Sequence, residues 1–307
     1  MTNCFGNDNL KQIVSETTCF RLGKMEGIMI RIVADSSTLY SVSDGKTKGI
    51  NIAPLSVTID NKTYKEFEEI QSKEFVEIIK EGHLPMSSQP SIGDVLEIYN
   101  NYPDDEIINI TMADGLSGTY NSACMAAQML DNPERVSVIN SKTLCGPHRY
   151  IIDVVVKLVE MNKTRTEIVD IVNEMIENSK SFLMPNDFDY LVRGGRLSPL
   201  VGKVGKVMKL VPVMTLTEDC KKLTKFATKR TFSKGIEVIC NSFIESGVNE
   251  GYKIYITHGC AEELANNAKK IILDNIPNAD VELFELSPVF ITQGGPGCLA
   301  IQMIKKY

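Results

Sequence analysis

The chain has no tryptophan, only three histidines, no Cys-x-x-Cys pair and no long hydrophobic run. His83, His148 and His258 stand far apart, and the eight cysteines are scattered from Cys4 to Cys298, so the ligand spacing of a structural zinc site is missing. No uninterrupted apolar segment could span a bilayer, and the first 28 residues lack the apolar core of a signal peptide. The expectation is a cytoplasmic chain with reduced thiols and no integral membrane segment. Basic residues are not in excess: 33 Lys and Arg face 39 Asp and Glu, a net charge of −6. That balance argues against a nucleic-acid partner, which demands clustered positive charge. The glycine-rich stretch at Gly115 has no Gly-Lys-Ser/Thr ending, and Thr119 stands where a hydrolase elbow needs glycine. With no Ser-His-Asp ordering, metal cluster or phosphate loop, no catalytic residue and no metal ligand are assigned.

What is present is a sizeable apolar share, 43% of 307 residues, enough for two ordinary domains. Residues 1–28 read as an N-terminal extension of mixed polarity; Met29 opens a clean strand, and the alternative for the extension is a short helix from Asn9 to Thr17. From Met29 onward strands alternate with helices: Ile30 to Ala34, Ile107 to Met112 and Val136 to Ile139 as strands, Glu66 to Glu81, a segment ending near Asn100, Thr119 to Leu130 and Arg149 to Met161 as helices. Ile50 to Ile59 followed by Asp60-Asn61-Lys62 reads as a small hairpin. This alternation predicts a mainly parallel sheet covered on both faces. A bridging helix from Thr166 to Ser179 leads to a unit with more strand-strand adjacency. It has a hairpin around Glu218-Asp219, helices Lys234 to Ser246 and Ala261 to Asn275, and strands Lys253 to Thr257, Val281 to Leu286 and Leu299 to Ile304. The fold class expected is therefore α/β in two domains: a three-layer α/β/α unit over residues 29–180 and a two-layer α+β unit with a mixed sheet over 181–307.

The most informative segment is Ile107 to Cys124, where an apolar strand stops at Ala113-Asp114-Gly115 and a Gly-Leu-Ser-Gly turn leads into a helix. In parallel sheets that junction faces the ligand crevice, and helix-start amides suit an oxygen-rich anion. Asp114, Gly115, Ser117 and Gly118 are candidates there; the alternative is a structural turn. Asp35 and Ser36 end the first strand, as crevice groups or as a helix cap. Ser87, Ser88, Gln89 and Ser91 sit between Pro85 and Pro90, a rigid polar loop that would lose little entropy on gripping a ligand, or an ordinary turn with Ser88 as cap. Arg196, beside Gly195, can grip a carboxylate or phosphate with planar donors. Lys203, Lys206 and Lys209 recur every three residues, a solvated face or a docking face for an acidic partner. Gln293 to Gly297 reads as a turn connecting two late strands, and His258 as a satisfied core histidine.

Taken in order, Ala34-Asp35-Ser36-Ser37, Ala53-Pro54-Leu55-Ser56-Val57, Ser87-Ser88-Gln89-Pro90-Ser91, Gly115 to Ala123, Leu191-Val192-Arg193-Gly194-Gly195-Arg196-Leu197 and Gly295-Pro296-Gly297 resemble the DegV family of bacterial lipid-binding proteins. The resemblance runs from Met29 to the C-terminus. It implies a non-catalytic carrier of one long-chain fatty acid, with the acyl chain in the C-terminal domain and the carboxylate at the domain junction near Ser87, Ser88 and Gly115. It implies no cofactor besides that ligand and, as in several relatives, a separate fatty acid kinase as partner. Independently of the resemblance, Lys203, Lys206 and Lys209 are the candidate partner-binding residues. The alternative is an enzyme acting on an acyl or phosphoryl group in the same crevice. Three positions depart from the family pattern: Asp114 stands where a serine is usual, Gln293 where a histidine is common, and Ala227 where an arginine is often seen. Asp114 is expected to share a proton with the ligand head or to accept from a neighbouring hydroxyl.

Overall fold

The computed structural model describes residues 28–198, 201 and 210–307. The expected N-terminal extension, apart from Ile28, and the lysines at 203, 206 and 209 lie outside the described residues. The first sheet is built from β1 (Ile30–Asp35) and β2 (Ile50–Ala53), with α1 (Val42–Thr47) between them. β3 (Ser56–Ile59) and β4 (Lys62–Lys65) form the expected hairpin, followed by α2 (Ser72–Lys80), β5 (Met86–Ser88) and α3 (Ile92–Asn100). β6 (Glu106–Thr111), α4 (Thr119–Gln128), β7 (Val136–Asn140), α5 (Cys145–Glu160) and α6 (Arg165–Glu177) complete the first half. Then come β8 (Ser179–Met184), α7 (Phe188–Gly194), β9 (Val211–Leu216), β10 (Leu223–Lys229), α8 (Phe232–Glu245) and β11 (Tyr252–His258). α9 (Glu262–Asn275), β12 (Asp280–Glu285), α10 (Pro288–Gly294) and β13 (Leu299–Lys305) end the chain.

The four-stranded sheet runs β2-β1-β6-β7 with every neighbour parallel. Alternation along β1 explains its two covers. Ile30, Ile32 and Ala34 face α5 and α6, while Val33 faces α3 and α4 with Ile107. The six-stranded sheet runs β10-β9-β8-β13-β11-β12, antiparallel except for β11 beside β12. One face packs on α8 and α9 through Ile239, Phe243, Ala265 and Ile272. The other face meets α5: Tyr255 and Ile304 join the same buried cluster as Ile151 and Val155. The approach is close because residue 146 has no side chain, since a Cβ on Gly146 would lie 2.1 Å from the Tyr255 ring. Among the described residues no helix is long and apolar enough to cross a membrane.

The segment Ile50 to Ile59 divides at Pro54 into β2 and the first arm of the expected hairpin, β3, which belongs to a separate antiparallel sheet, β4-β3-β5. Three sequence expectations change. The helix expected from Glu66 begins only at Ser72, because Phe67 adopts a left-handed φ of 66° and Glu66 turns inward, fully buried. Ser87 and Ser88 lie in a strand rather than a loop, paired with β3, and Ser91, not Ser88, caps α3 through a reciprocal box with Asp94. Gln293 to Gly297 is no hairpin turn, since β12 and β13 flank β11 and α10 lies between them in sequence. The expected division at 180/181 falls inside β8.

Candidate functional site

The parallel sheet, the small sheet and the mixed sheet surround one cavity, in which the space open to the centre of a water molecule is about 110 Å³. Most of its wall is apolar. β8 gives Leu183, the hairpin β9–β10 gives Leu216 and Leu223, α10 gives Val289 and Phe290, and the loops after β2, β6 and β12 add Leu55, Leu116 and Leu286. Polar groups gather on one side: Ser87, Ser88 and Gln89 from β5 and its continuation, Ser117 from the loop after β6, Gln293 from α10 and Arg196. A further polar pair, Ser181 and Gln302, lies in the wall formed by β8 and β13.

Arg196 follows α7 and is tied to the mixed sheet, its carbonyl accepting from the Leu223 N–H. Its Nε donates to the Leu116 carbonyl at 3.1 Å and Nη1 to the Gly194 carbonyl. Among the described residues no carboxylate pairs with it, and partial burial pulls its pKa down. A desolvated guanidinium with spare donors beside an apolar cavity is an anion site in waiting. Gln293 Nε2 donates to Ser87 Oγ at 3.0 Å, and Gln89 Nε2 donates to Ser122 Oγ at 3.2 Å. Ser117 Oγ sits 2.8 Å from Thr119 Oγ1 at the start of α4.

Half of the residues expected from sequence thus line the cavity: Ser87, Ser88, Gln89, Ser117, Arg196 and Gln293. Gly115 and Gly118 sit beside it and serve packing. A Cβ at Gly115 would fall 2.2 Å from the Lys221 Cα, so the tip of the β9–β10 hairpin rests on this glycine; one at Gly118 would strike the Gln89 amide. Asp114 does not line the cavity. It pairs with Lys221; although burial alone would raise its pKa, Lys221 and Asn140 outweigh that and hold the carboxyl below its ordinary value. Held that way, Asp114 is an anion paired outside the cavity wall, an arrangement that lends no support to proton sharing with a ligand head. Asp35 and Ser36 are buried behind the cavity wall and do not line it. Asp35 accepts from the Ser37 and Met112 N–H groups, and Ser36 donates to Glu66 at 2.6 Å while accepting from the Leu55 N–H. Ser91 is spent on its helix cap.

Sequence reasoning missed Glu66, His148, Ser181 and Gln302. Glu66 accepts from Ser36 and, at 3.1 Å, from the Val289 N–H, so a buried carboxylate fixes the start of α10. Burial pushes its pKa up to about 7, against those hydrogen bonds. His148 Nε2 lies 3.0 Å from the Ile110 carbonyl and must donate to it, so Nδ1 accepts the Ser37 O–H at 2.8 Å. Burial lowers its pKa and keeps the ring neutral. This serine-histidine pair is fully buried and does not reach the cavity. His258 accepts the Ala261 N–H and is structural, as expected.

Comparison with known proteins follows the same lines. The family model described as "Uncharacterised protein, DegV family" matches residues 29–306. A DegV domain-containing protein of Staphylococcus aureus (strain N315) is 32% identical over 280 residues, spanning 90% of this chain and 98% of its own length. The crystal structure of DegV, a fatty acid binding protein from Bacillus subtilis, superposes with a TM-score of 0.79 at 27% identity, covering 90% of this chain and 99% of that one. A DegV family protein from Eubacterium eligens, loaded with heptadecanoic acid, superposes with a TM-score of 0.77 at 23% identity over 91% of this chain and 100% of its own.

Proposed function

Since the chain belongs to the DegV family, we propose that it binds one long-chain fatty acid in the cavity, with the carboxylate toward Arg196 and the tail along the leucines of β8, β9 and β10. The observation that carries this reading is an apolar cavity whose rim holds a half-buried arginine with no carboxylate partner among the described residues. Arg196 supplies charge-assisted donors for an anionic head, and Ser87, Ser117 and Gln293 supply hydroxyl and amide groups around it. Burying a tail of about 16 carbons at about 0.8 kcal/mol per methylene gives on the order of 10 kcal/mol before ordering costs, enough for retention without catalysis. The Bacillus subtilis relative named as a fatty acid binding protein supports the same ligand class.

The finer reading is a carrier. Ser88 and Gln89 leave the rim open to solvent, so a bound carboxylate could be offered to a separate kinase without release of the tail. The head-group serines would come from residues 29–180, while Arg196, Gln293 and most of the tail wall would come from 181–307. No cofactor beyond the lipid enters, and the buried Ser37–His148 pair gives a hydrolase reading no route to a substrate.

The test is titration of the delipidated full chain with hexadecanoic acid and, separately, with hexadecanol. The acid should bind once per chain, the alcohol far more weakly, and Arg196→Leu should weaken the acid by about tenfold to a hundredfold, the worth of one charged hydrogen-bond group. Equal binding of acid and alcohol to the unaltered chain would overturn the assignment of the head to Arg196.

A further inference from the structure

One rung of the cavity wall is polar where its neighbours are apolar. Ser181 on β8 and Gln302 on β13 are directly opposed, and the next opposed pair on that face is Leu183 and Ala300. All four line the cavity. Gln302 is 1% exposed. Its Nε2 donates to the Leu144 carbonyl at 3.0 Å and to Ser181 Oγ at 2.8 Å. A carbonyl only accepts, so the amide cannot be turned round without setting two acceptors face to face. That leaves Gln302 Oε1 buried with no hydrogen-bond partner. Ser181 Oγ, meanwhile, receives the Gln302 proton and keeps its own O–H to give.

Resting on the fatty-acid reading above, we propose that the preferred ligand is a long-chain fatty acid bearing a hydroxyl part-way along its chain, held by Gln302 and Ser181. An alcohol matches both unmet capacities at once: its proton goes to Gln302 Oε1, and its oxygen accepts the Ser181 O–H. A ketone has no proton for Oε1, and a double bond or plain methylene satisfies neither atom. The rung also sits at the right depth for a chain substituent. Leu183, opposite Ala300, lies beside Gly294, the neighbour of Gln293 at the polar rim. Ser181 and Gln302 are two residues, about 7 Å, further along their strands. The hydroxyl is therefore separated from the carboxylate rather than adjacent to it.

Calorimetric titration of the delipidated full chain with octadecanoic acid and a series of its positional monohydroxy isomers tests this. At least one mid-chain isomer should bind about tenfold tighter than the parent acid, the worth of one buried hydrogen bond gained. Gln302→Leu should abolish or reverse that preference while still binding the parent; Ser181→Ala, a milder change, should reduce it, and circular dichroism verifies folding of both. If no isomer outbinds the parent, as when an ordered water satisfies the rung, or if the preference survives both substitutions, the proposal is overturned and the fatty-acid reading stands. If no fatty acid binds at all, both fall.

Discussion

Glu66 offers the most quantitative consequence of this structure. It is fully buried, and its carboxyl is held between Ser36 O–H and Val289 N–H, joining the end of β1 to the helix α10 that lines the cavity. Burial lifts its pKa from 4.5 to about 7, with neighbouring Asp35 adding to the rise. In the unfolded chain the same group ionises near its ordinary value. Between those two pH values the folded chain binds the extra proton, so stability declines as pH rises through the window and levels off above about 7. A rise of that size corresponds to roughly 3 kcal/mol lost across the window. Glu66→Gln keeps the shape and removes the ionisation. The difference in unfolding free energy between variant and parent, measured by urea denaturation from pH 4.5 to 8, should therefore shift in the variant's favour by roughly 3 kcal/mol. Contributions of all other titrating groups cancel in that difference. A difference independent of pH would show that Glu66 is not a buried proton-holding carboxyl, and the reasoning about α10 would fail with it.

The remaining expectations concern the cavity and its rim. Gly115→Ala places a methyl group against the Lys221 backbone, displacing the β9–β10 hairpin tip. It should cost about 1–3 kcal/mol, seen as a lower Tm, and quicken fatty-acid release in a displacement assay; an unchanged Tm would contradict that contact. Ala300→Leu projects into the cavity beside Leu183 and should displace two to three methylenes of the tail, weakening binding roughly thirtyfold with little change in Tm. Asp114→Asn should leave fatty-acid affinity unchanged between pH 6 and 8, because Asp114 is already an anion paired to Lys221 outside the cavity; a pH-dependent change on titration would support proton sharing instead.

The parallel sheet was legible because its strands are apolar runs that stop at Asp or Gly, and each strand is followed by a helix-period pattern. The polar rim was legible for a related reason. Ser117 and Arg196 sit among glycines, which mark turns where backbone and side chain face a crevice, and Ser87 lies between prolines that bound a short strand at the same rim. Asp35 and Ser36 carried the same signal, yet they stabilise the strand end itself, since a buried acid at a loop is drawn to the nearest unpaired amides. Glu66 was hidden because an acid ahead of an amphipathic stretch reads as the exposed first turn of a helix; only the left-handed Phe67 turns it inward. Ser181 and Gln302 could have been found. Gln302 interrupts Leu299 to Ile304, an otherwise apolar strand, but its meaning depended on the register that places it opposite Ser181. Lys203, Lys206 and Lys209 lie outside the described residues, so the structure adds nothing to the periodicity read there.

The most direct measurement is the mass of the intact chain, as purified, under non-denaturing electrospray conditions, followed by solvent extraction of whatever it carries. The account predicts a complex heavier than the polypeptide by one long-chain acyl lipid, released as a free acid into the extract. A bare polypeptide mass, with no acid in the extract and no uptake of added hexadecanoic acid, would contradict it.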